Sequence, residues 1–103
     1  MLSKKLVFAM MFGLMLVAGT ALAGGDVENG KVLSADCADC HGDNGLGDED
    51  VPAIAGMDAA EQAKMLTDFR AGVGDSEMND YVADLSDQDI LDLAAYYATL
   101  PAK

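Results

Sequence analysis

Two cysteines and the chain's one histidine stand together in the run Cys37-Ala38-Asp39-Cys40-His41. Residues three and four positions apart share one side of a helix, so both thiols and the imidazole of His41 can face the same ligand. Two thiols at this spacing can reach two vinyl groups of a porphyrin, and the imidazole that follows can reach its iron. The run therefore predicts one covalently attached c-type haem, with Cys37 and Cys40 as thioether donors and His41 as a metal ligand.

Other chemistries also use closely spaced cysteines. A thioredoxin-like redox pair belongs beside alternating strands and helices, which this sequence does not predict. A structural zinc site usually has four ligands, and two cysteines and one histidine leave the fourth to a carboxylate. A disulfide between Cys37 and Cys40 would join residues that are close in sequence for a structural disulfide. None of these alternatives explains a histidine directly after the second cysteine, so we favour haem.

Residues 1–23 are predicted to be a cleaved signal peptide. Lys4 and Lys5 form a positive n-region, an apolar segment follows, and Ala23 ends a small-residue cleavage site. The apolar segment is too short for a comfortable membrane span. The sequence thus predicts export to the periplasm, one cytochrome domain over residues 24–103, and no stable membrane insertion after cleavage.

The predicted mature domain is short and strongly acidic. A domain of this size is marginal for a core made of protein alone, and an attached haem would give the helices an apolar surface to pack against. All 18 Asp and Glu residues lie in it, and cleavage removes two lysines from a chain of formal net charge −12. This charge disfavours nucleic acid and anionic membranes as partners. A basic docking patch on a redox protein would complement it, and solubility or adaptation to salt would also explain it.

The first predicted helix carries the haem motif near its end. It runs from about Val27 to Cys40, with Asp26 as its N-cap and Gly42 as its stop signal. Gly30 in its middle costs stability relative to alanine. A close crossing with another helix would explain that glycine.

Two further helices are predicted, and no strand is, which makes the domain all-α. The middle helix runs from Asp58 to about Arg70. The last begins at Ser86, whose spacing to Asp89 resembles a capping box, and Pro101 prevents its extension. The apolar stripe of the middle helix consists of Ala59, Ala63, Leu66 and Phe69.

The segments between these helices are predicted to be loops. Gly42–Gly56 is rich in glycine and aspartate, and Val73–Leu85 is poor helix material. Oxygen donors in the first loop raise the possibility of a calcium site, but their spacing does not match the EF-hand pattern, so a solvated loop is favoured. These donors are Asp43, Asn44, Asp48 and Asp50.

The second axial ligand of the iron decides the chemistry, because an open position would allow small-molecule binding or peroxide chemistry. The chain has no second histidine, so methionine is the leading candidate. Met65 lies inside the middle helix as a gap-filling core residue, and Met57 comes soon after the haem motif. Met78 lies in a predicted loop between two helices, and such a loop can cross the far face of the haem and bring the methionine sulfur to the iron. We predict Met78, with Lys64 or an N-terminal amine as alternatives.

The sequence resembles the class I c-type cytochromes, specifically the short bacterial monohaem members. The resemblance lies in the haem motif, in Val51–Gly56 with Pro52, and in Met78 with the residues that follow it. It implies a small cytochrome c fold, with three or more helices around one haem and the first and last helices crossing. It also implies that the Pro52 carbonyl accepts a hydrogen bond from the outer ring nitrogen of His41. Unlike in many members of the family, no proline stands beside Met78.

The resemblance implies a soluble periplasmic one-electron carrier, not an enzyme, that passes electrons between a donor and an acceptor protein. Three alternatives stay open. The chain could be a subunit of a dehydrogenase or oxidase complex. It could be a haem-based gas sensor or a peroxidase-like enzyme with an open iron position. It could also be a haem-free domain held by a Cys37–Cys40 disulfide.

Overall fold

The computed structural model describes residues 24–102, and these form four α-helices with no strand. The helices are α1 (Val27–His41), α2 (Ala59–Arg70), α3 (Ser76–Val82) and α4 (Asp87–Thr99). The all-α prediction is confirmed. The predicted signal peptide lies outside the described residues.

Helix α1 begins and ends where its capping residues predict. The Asp26 carboxylate accepts hydrogen bonds from the backbone amides of Glu28 and Asn29 at 3.0 and 3.3 Å. Gly42, at φ 86°, ends the helix directly after His41, one residue beyond the predicted last position. All three residues of the haem motif that carry chemistry are therefore helical.

Helices α1 and α4 cross with their backbones in close contact, and this is the most extensive helix pair. Gly30 is buried at the crossing, where an added Cβ would collide with the Asp92 carbonyl and the Tyr96 Cβ. This close approach is the reason for a glycine in the middle of α1. The crossing that the family resemblance implies is present.

Capping also fixes α2 and α4. The Asp58 carboxylate accepts from the Glu61 amide at 3.0 Å, and Ser86 and Asp89 form a reciprocal capping box. Arg70, at the end of α2, donates to the Leu85 carbonyl at 3.0 Å and to the Asp87 carboxylate at 2.6 Å. This side chain ties the end of α2 to the start of α4.

The prediction that Val73–Leu85 is irregular is wrong for its central part, which forms α3. Asp75 caps this helix by accepting from the amides of Glu77 and Met78 at 2.8 and 3.2 Å. Isolated helices of this length are marginal, so the helix depends on contacts with the rest of the molecule. The Asn79 amide supplies one such contact by donating to the Phe69 and Val73 carbonyls at 2.9 and 3.1 Å.

The hydrophobic core takes residues from α2, α3 and α4. Its buried members are Leu66, Val82, Ile90, Leu93 and Tyr97. Leu33 and Cys37 of α1 and Met78 of α3 pack against this cluster while keeping part of their surface accessible. The core therefore forms one wall of the cavity described next.

Candidate functional site

A cavity of about 270 Å³ lies among all four helices and the loop after α1. Its size is close to the lower end of the range of roughly 300–1,000 Å³ that is usual for ligand pockets. The structure brings every site residue predicted from the sequence to its lining. These residues are Cys37, Cys40, His41, Pro52 and Met78.

Both cysteines are free thiols on α1, Cys37 half-buried and Cys40 exposed, so they form no disulfide with each other. Within residues 24–102, no group of three or more His, Cys, Asp or Glu side chains is placed to hold a metal ion. The zinc and calcium alternatives thus gain no support. The Asp48 carboxylate, one of the oxygen donors considered for calcium, accepts instead from the amides of Asp50 and Val51.

The environment of Cys37 is unlike that of a reactive thiol. Burial raises the pKa of Cys37 and the charge of Asp36 adds to this effect, while a hydrogen bond with Tyr97 opposes it. Redox-active and nucleophilic cysteines have lowered pKa values, which keep them as thiolates at neutral pH. The raised pKa of Cys37 therefore gives the thioredoxin-like alternative no support, and no strand lies among the described residues.

The buried imidazole of His41 is oriented by one hydrogen bond. Its Nδ1 lies 2.8 Å from the Pro52 carbonyl oxygen. A carbonyl oxygen can only accept, so Nδ1 must carry the proton and donate. In the neutral ring the lone pair is then on Nε2, the nitrogen that remains free to bind a metal.

The loop that presents Pro52 is bonded back to α1 through its backbone. The Gly47 amide donates to the His41 carbonyl at 2.8 Å, and the Asp48 amide donates to the Val51 carbonyl at 2.8 Å. Gly47 has a φ of 67°, and an added Cβ would collide with the Val51 and Pro52 carbonyl groups. A glycine is required there because of both the backbone conformation and the lack of space.

Three methionines line the cavity, so lining alone does not select one of them. Met78 lies in the first turn of α3, which corrects its predicted position in a loop, and it packs against the core. Met65 is 41% exposed, and Met57 follows the Pro52 loop. The Lys64 side chain is 75% exposed, pairs with Asp68 at 3.0 Å and does not line the cavity.

Sequence reasoning assigned no site role to two buried residues of the cavity, Gln62 and Tyr97. Gln62 is 4% exposed, and its Oε1 has no hydrogen-bond partner among the described residues. It lies four residues before Leu66 and seven before Phe69, so a polar residue on the predicted apolar face of α2 was the available signal. Tyr97 is 1% exposed, and burial, followed by the charge of Cys37, raises its pKa.

One side of the cavity mouth is acidic. Asp36 and Glu77 line the cavity beside Tyr81, which is 51% exposed. The pKa of Tyr81 is raised, first by the charge of Cys40 and then by partial burial and nearby carboxylates, including Asp39. These side chains place negative charge next to the exposed cysteine.

None of the helices within residues 24–102 has the length and apolar character to cross a bilayer.

Comparison with known proteins identifies similar sequences and folds. Residues 26–96 match the family described as cytochrome c oxidase, cbb3-type, subunit III. The chain is 35% identical over 98 residues to cytochrome c4 of Pseudomonas aeruginosa, covering 93% of this chain and 48% of that protein. It is 38% identical over 69 residues to a thiosulfate dehydrogenase electron acceptor of Stutzerimonas stutzeri, covering 64% of this chain and 32% of that protein.

The fold also has solved counterparts. The structure of reduced recombinant cytochrome c4 from Pseudomonas stutzeri matches with a TM-score of 0.67 and 31% identity, over 73% of this chain and 48% of that one. The chain spans about half the length of the curated cytochrome c4 relatives that it matches.

The cavity fits the cofactor that this family implies, haem c. Both cysteines line it, the His41–Pro52 hydrogen bond leaves Nε2 of His41 available as a ligand, and a buried amide oxygen on its wall lacks a partner. Together with the match over residues 26–96 and the fold shared with cytochrome c4, these features show that the chain belongs to the class I c-type cytochromes.

Proposed function

We propose that this chain is a periplasmic one-electron carrier, with one haem attached through thioether bonds to Cys37 and Cys40. The observation that carries the proposal is the His41–Pro52 hydrogen bond of 2.8 Å beside those cysteines. It commits Nδ1 to the protein and leaves Nε2 as the ligand atom. A merely structural histidine has no need of this arrangement next to two free thiols.

In this proposal His41 and Met78, which both line the cavity, would hold the iron. The bound haem would supply a metal centre that gains and loses one electron. If His41 and Met78 both bound the iron, a substrate would find no free coordination position there, so the proposed role is electron transfer and not catalysis. A thioether ligand in a buried site also raises the reduction potential.

The acidic cavity mouth supports a basic partner. Asp36, Asp39 and Glu77 lie around Tyr81 next to the exposed Cys40, where an electron would enter or leave. A partner with a basic patch would associate faster there, through a small and transient interface.

The proposal is tested on protein made in a host that matures c-type cytochromes. We expect the mass of the mature chain to rise by one haem and the ferric spectrum to show the weak far-red band of methionine sulfur on iron. Met78→Ala should abolish that band, whereas Met65→Ala, also on the cavity wall, should keep it. An unmodified mass would end the haem proposal, and a band that survives Met78→Ala would end the ligand assignment.

A second role is favoured by one comparison, since a relative is named as a thiosulfate dehydrogenase electron acceptor. This chain could likewise serve one dehydrogenase as a dedicated partner or subunit. Purification from native cells separates the two roles, because a free carrier elutes as a monomer and a subunit co-elutes with its enzyme. Binding of carbon monoxide to the reduced protein at neutral pH would instead indicate an open iron position.

A further inference from the structure

Gln62 is a buried amide with an unmet hydrogen-bonding need on the wall of the cavity. It is 4% exposed, and no described residue bonds to its Oε1. A buried polar atom without a partner destabilises the fold, so native proteins seldom retain one unless something absent from the polypeptide satisfies it. Because Gln62 lines the cavity, a group bound in the cavity is the available partner.

The cavity offers few other side-chain donors. No lysine or arginine among the described residues lines it, and four acidic residues do: Asp36, Asp50, Asp75 and Glu77. The Nδ1 of His41 is committed to Pro52, and the Tyr97 hydroxyl lies beside Cys37 and Ser34 of α1. Tyr81 is half-exposed at the acidic mouth. Gln62 is thus the buried side chain on the cavity wall whose hydrogen-bonding capacity is not met by the described residues.

Haem has hydrogen-bonding groups on its rim at only two places, the propionate carboxylates. We propose, on the basis of the function proposed above, that the Gln62 amide donates a hydrogen bond to a haem propionate. Rotation about the terminal side-chain bond exchanges Oε1 and Nε2, so the amide can turn its N–H to the position that now lacks a partner. Gln62 is therefore a positioning and tuning residue for the haem.

The direction of the change in reduction potential separates this role from a packing role. An N–H pointed at a carboxylate offsets part of its negative charge, and that charge stabilises the ferric state. Gln62→Leu should therefore lower the potential at mildly alkaline pH, where the propionate is ionised. If Gln62 were only a polar wall residue, the same change would make the site more apolar and raise the potential.

The experiment compares haem-loaded wild type, Gln62→Leu and Gln62→Glu, with Met65→Leu as the control from the same helix. Resonance Raman spectra report the propionate bending mode, and voltammetry reports the potential. We expect Gln62→Leu to shift the mode and lower the potential, and Gln62→Glu to lower the potential further. Met65→Leu should leave the mode in place.

An unmoved propionate mode, or a raised potential, in Gln62→Leu would overturn the proposal. If that variant does not accumulate, NMR of the wild type decides, since a Gln62 side-chain amide proton should show a nuclear Overhauser effect to the propionate methylene protons. Its absence would also overturn the proposal. Each of these results is obtained on haem-containing protein and leaves the electron-carrier proposal standing, whereas a preparation without haem would refute that proposal first.

Discussion

At the scale of single residues, the histidine depends on a loop that has little freedom of its own. The Pro52 carbonyl accepts from His41 only because the loop after α1 folds back and bonds through Gly47 to the His41 carbonyl. Gly47 combines a positive φ with close contact to the Val51 and Pro52 carbonyl groups. The position of the imidazole is therefore set by a residue that carries no functional group.

We predict that Gly47→Ala destabilises the protein more than Gly72→Ala does. Both glycines have positive φ, 67° and 91°, so alanine is strained at either position. A Cβ at Gly72 meets nothing within 4 Å, whereas one at Gly47 collides with backbone carbonyl groups. Backbone strain costs about 1–3 kcal/mol, and the collision should add at least about 1 kcal/mol for Gly47→Ala. Chemical unfolding measures both free energies, and equal losses would contradict the prediction.

At the scale of elements, a buried carboxylate ties the start of α1 to α4. Asp92 is 2% exposed and accepts from the Asp26 amide at 2.7 Å, the Asn29 side chain at 2.7 Å and the Gln88 side chain at 2.9 Å. Burial by itself would raise the pKa of Asp92. The three hydrogen bonds outweigh burial, so its pKa lies below the usual value.

This lowered pKa makes the helix crossing sensitive to acid. A carboxylate whose pKa is lower in the folded state stabilises the fold above its unfolded pKa, about 3.9 for aspartate, and the stabilisation is lost as the pH falls through the folded value. Asp92→Asn should lower the free energy of unfolding at neutral pH by about 1–3 kcal/mol. The NH2 group of the asparagine would then face N–H groups that now donate to the carboxylate.

Thermal unfolding across a pH series measures this effect. The difference between wild type and Asp92→Asn should shrink below about pH 3.9, where the wild-type carboxyl also becomes protonated. Asp84→Asn, at an exposed aspartate, is the matched control and should unfold like wild type. A pH-independent difference for Asp92→Asn would show that its charge has no part in the crossing.

The same elements show what the sequence can and cannot predict. Capping residues such as Asp26 and Ser86 placed the predicted starts of α1 and α4 within about one residue of the observed starts, because caps act locally. Helix α3 was missed because it depends on contacts with residues outside the helix, such as those of Asn79 with Phe69 and Val73. Gln62 was missed because its significance appears only once the apolar face of α2 is known to border a cavity.

At the scale of the whole molecule, negative charge dominates. The chain has a formal net charge of −12, with six Lys and Arg residues against 18 Asp and Glu residues. Of its lysines and arginines, Lys64 and Arg70 are paired with Asp68 and Asp87. The unpaired acidic residues give a field that attracts cations, and its effect on reaction rates should be strongest where Glu77 borders the cavity mouth.

We predict that a small cationic oxidant reacts with the reduced haem protein more slowly as ionic strength rises, whereas anionic ferricyanide reacts faster. Screening becomes effective near 0.1 M salt, where the Debye length is about 10 Å.

Glu77→Gln should lower the low-salt rate constant for a tricationic oxidant by about two- to five-fold, since it removes a charge roughly 10 Å from the reagent. Glu28→Gln removes the same charge at the far end of α1 and should change the rate less. Stopped-flow kinetics over a salt series measure the rates with both oxidants and the effects of both substitutions. Equal effects of the two substitutions would place the site of electron entry away from Cys40, and rates insensitive to salt would remove charge as a guide to the partner.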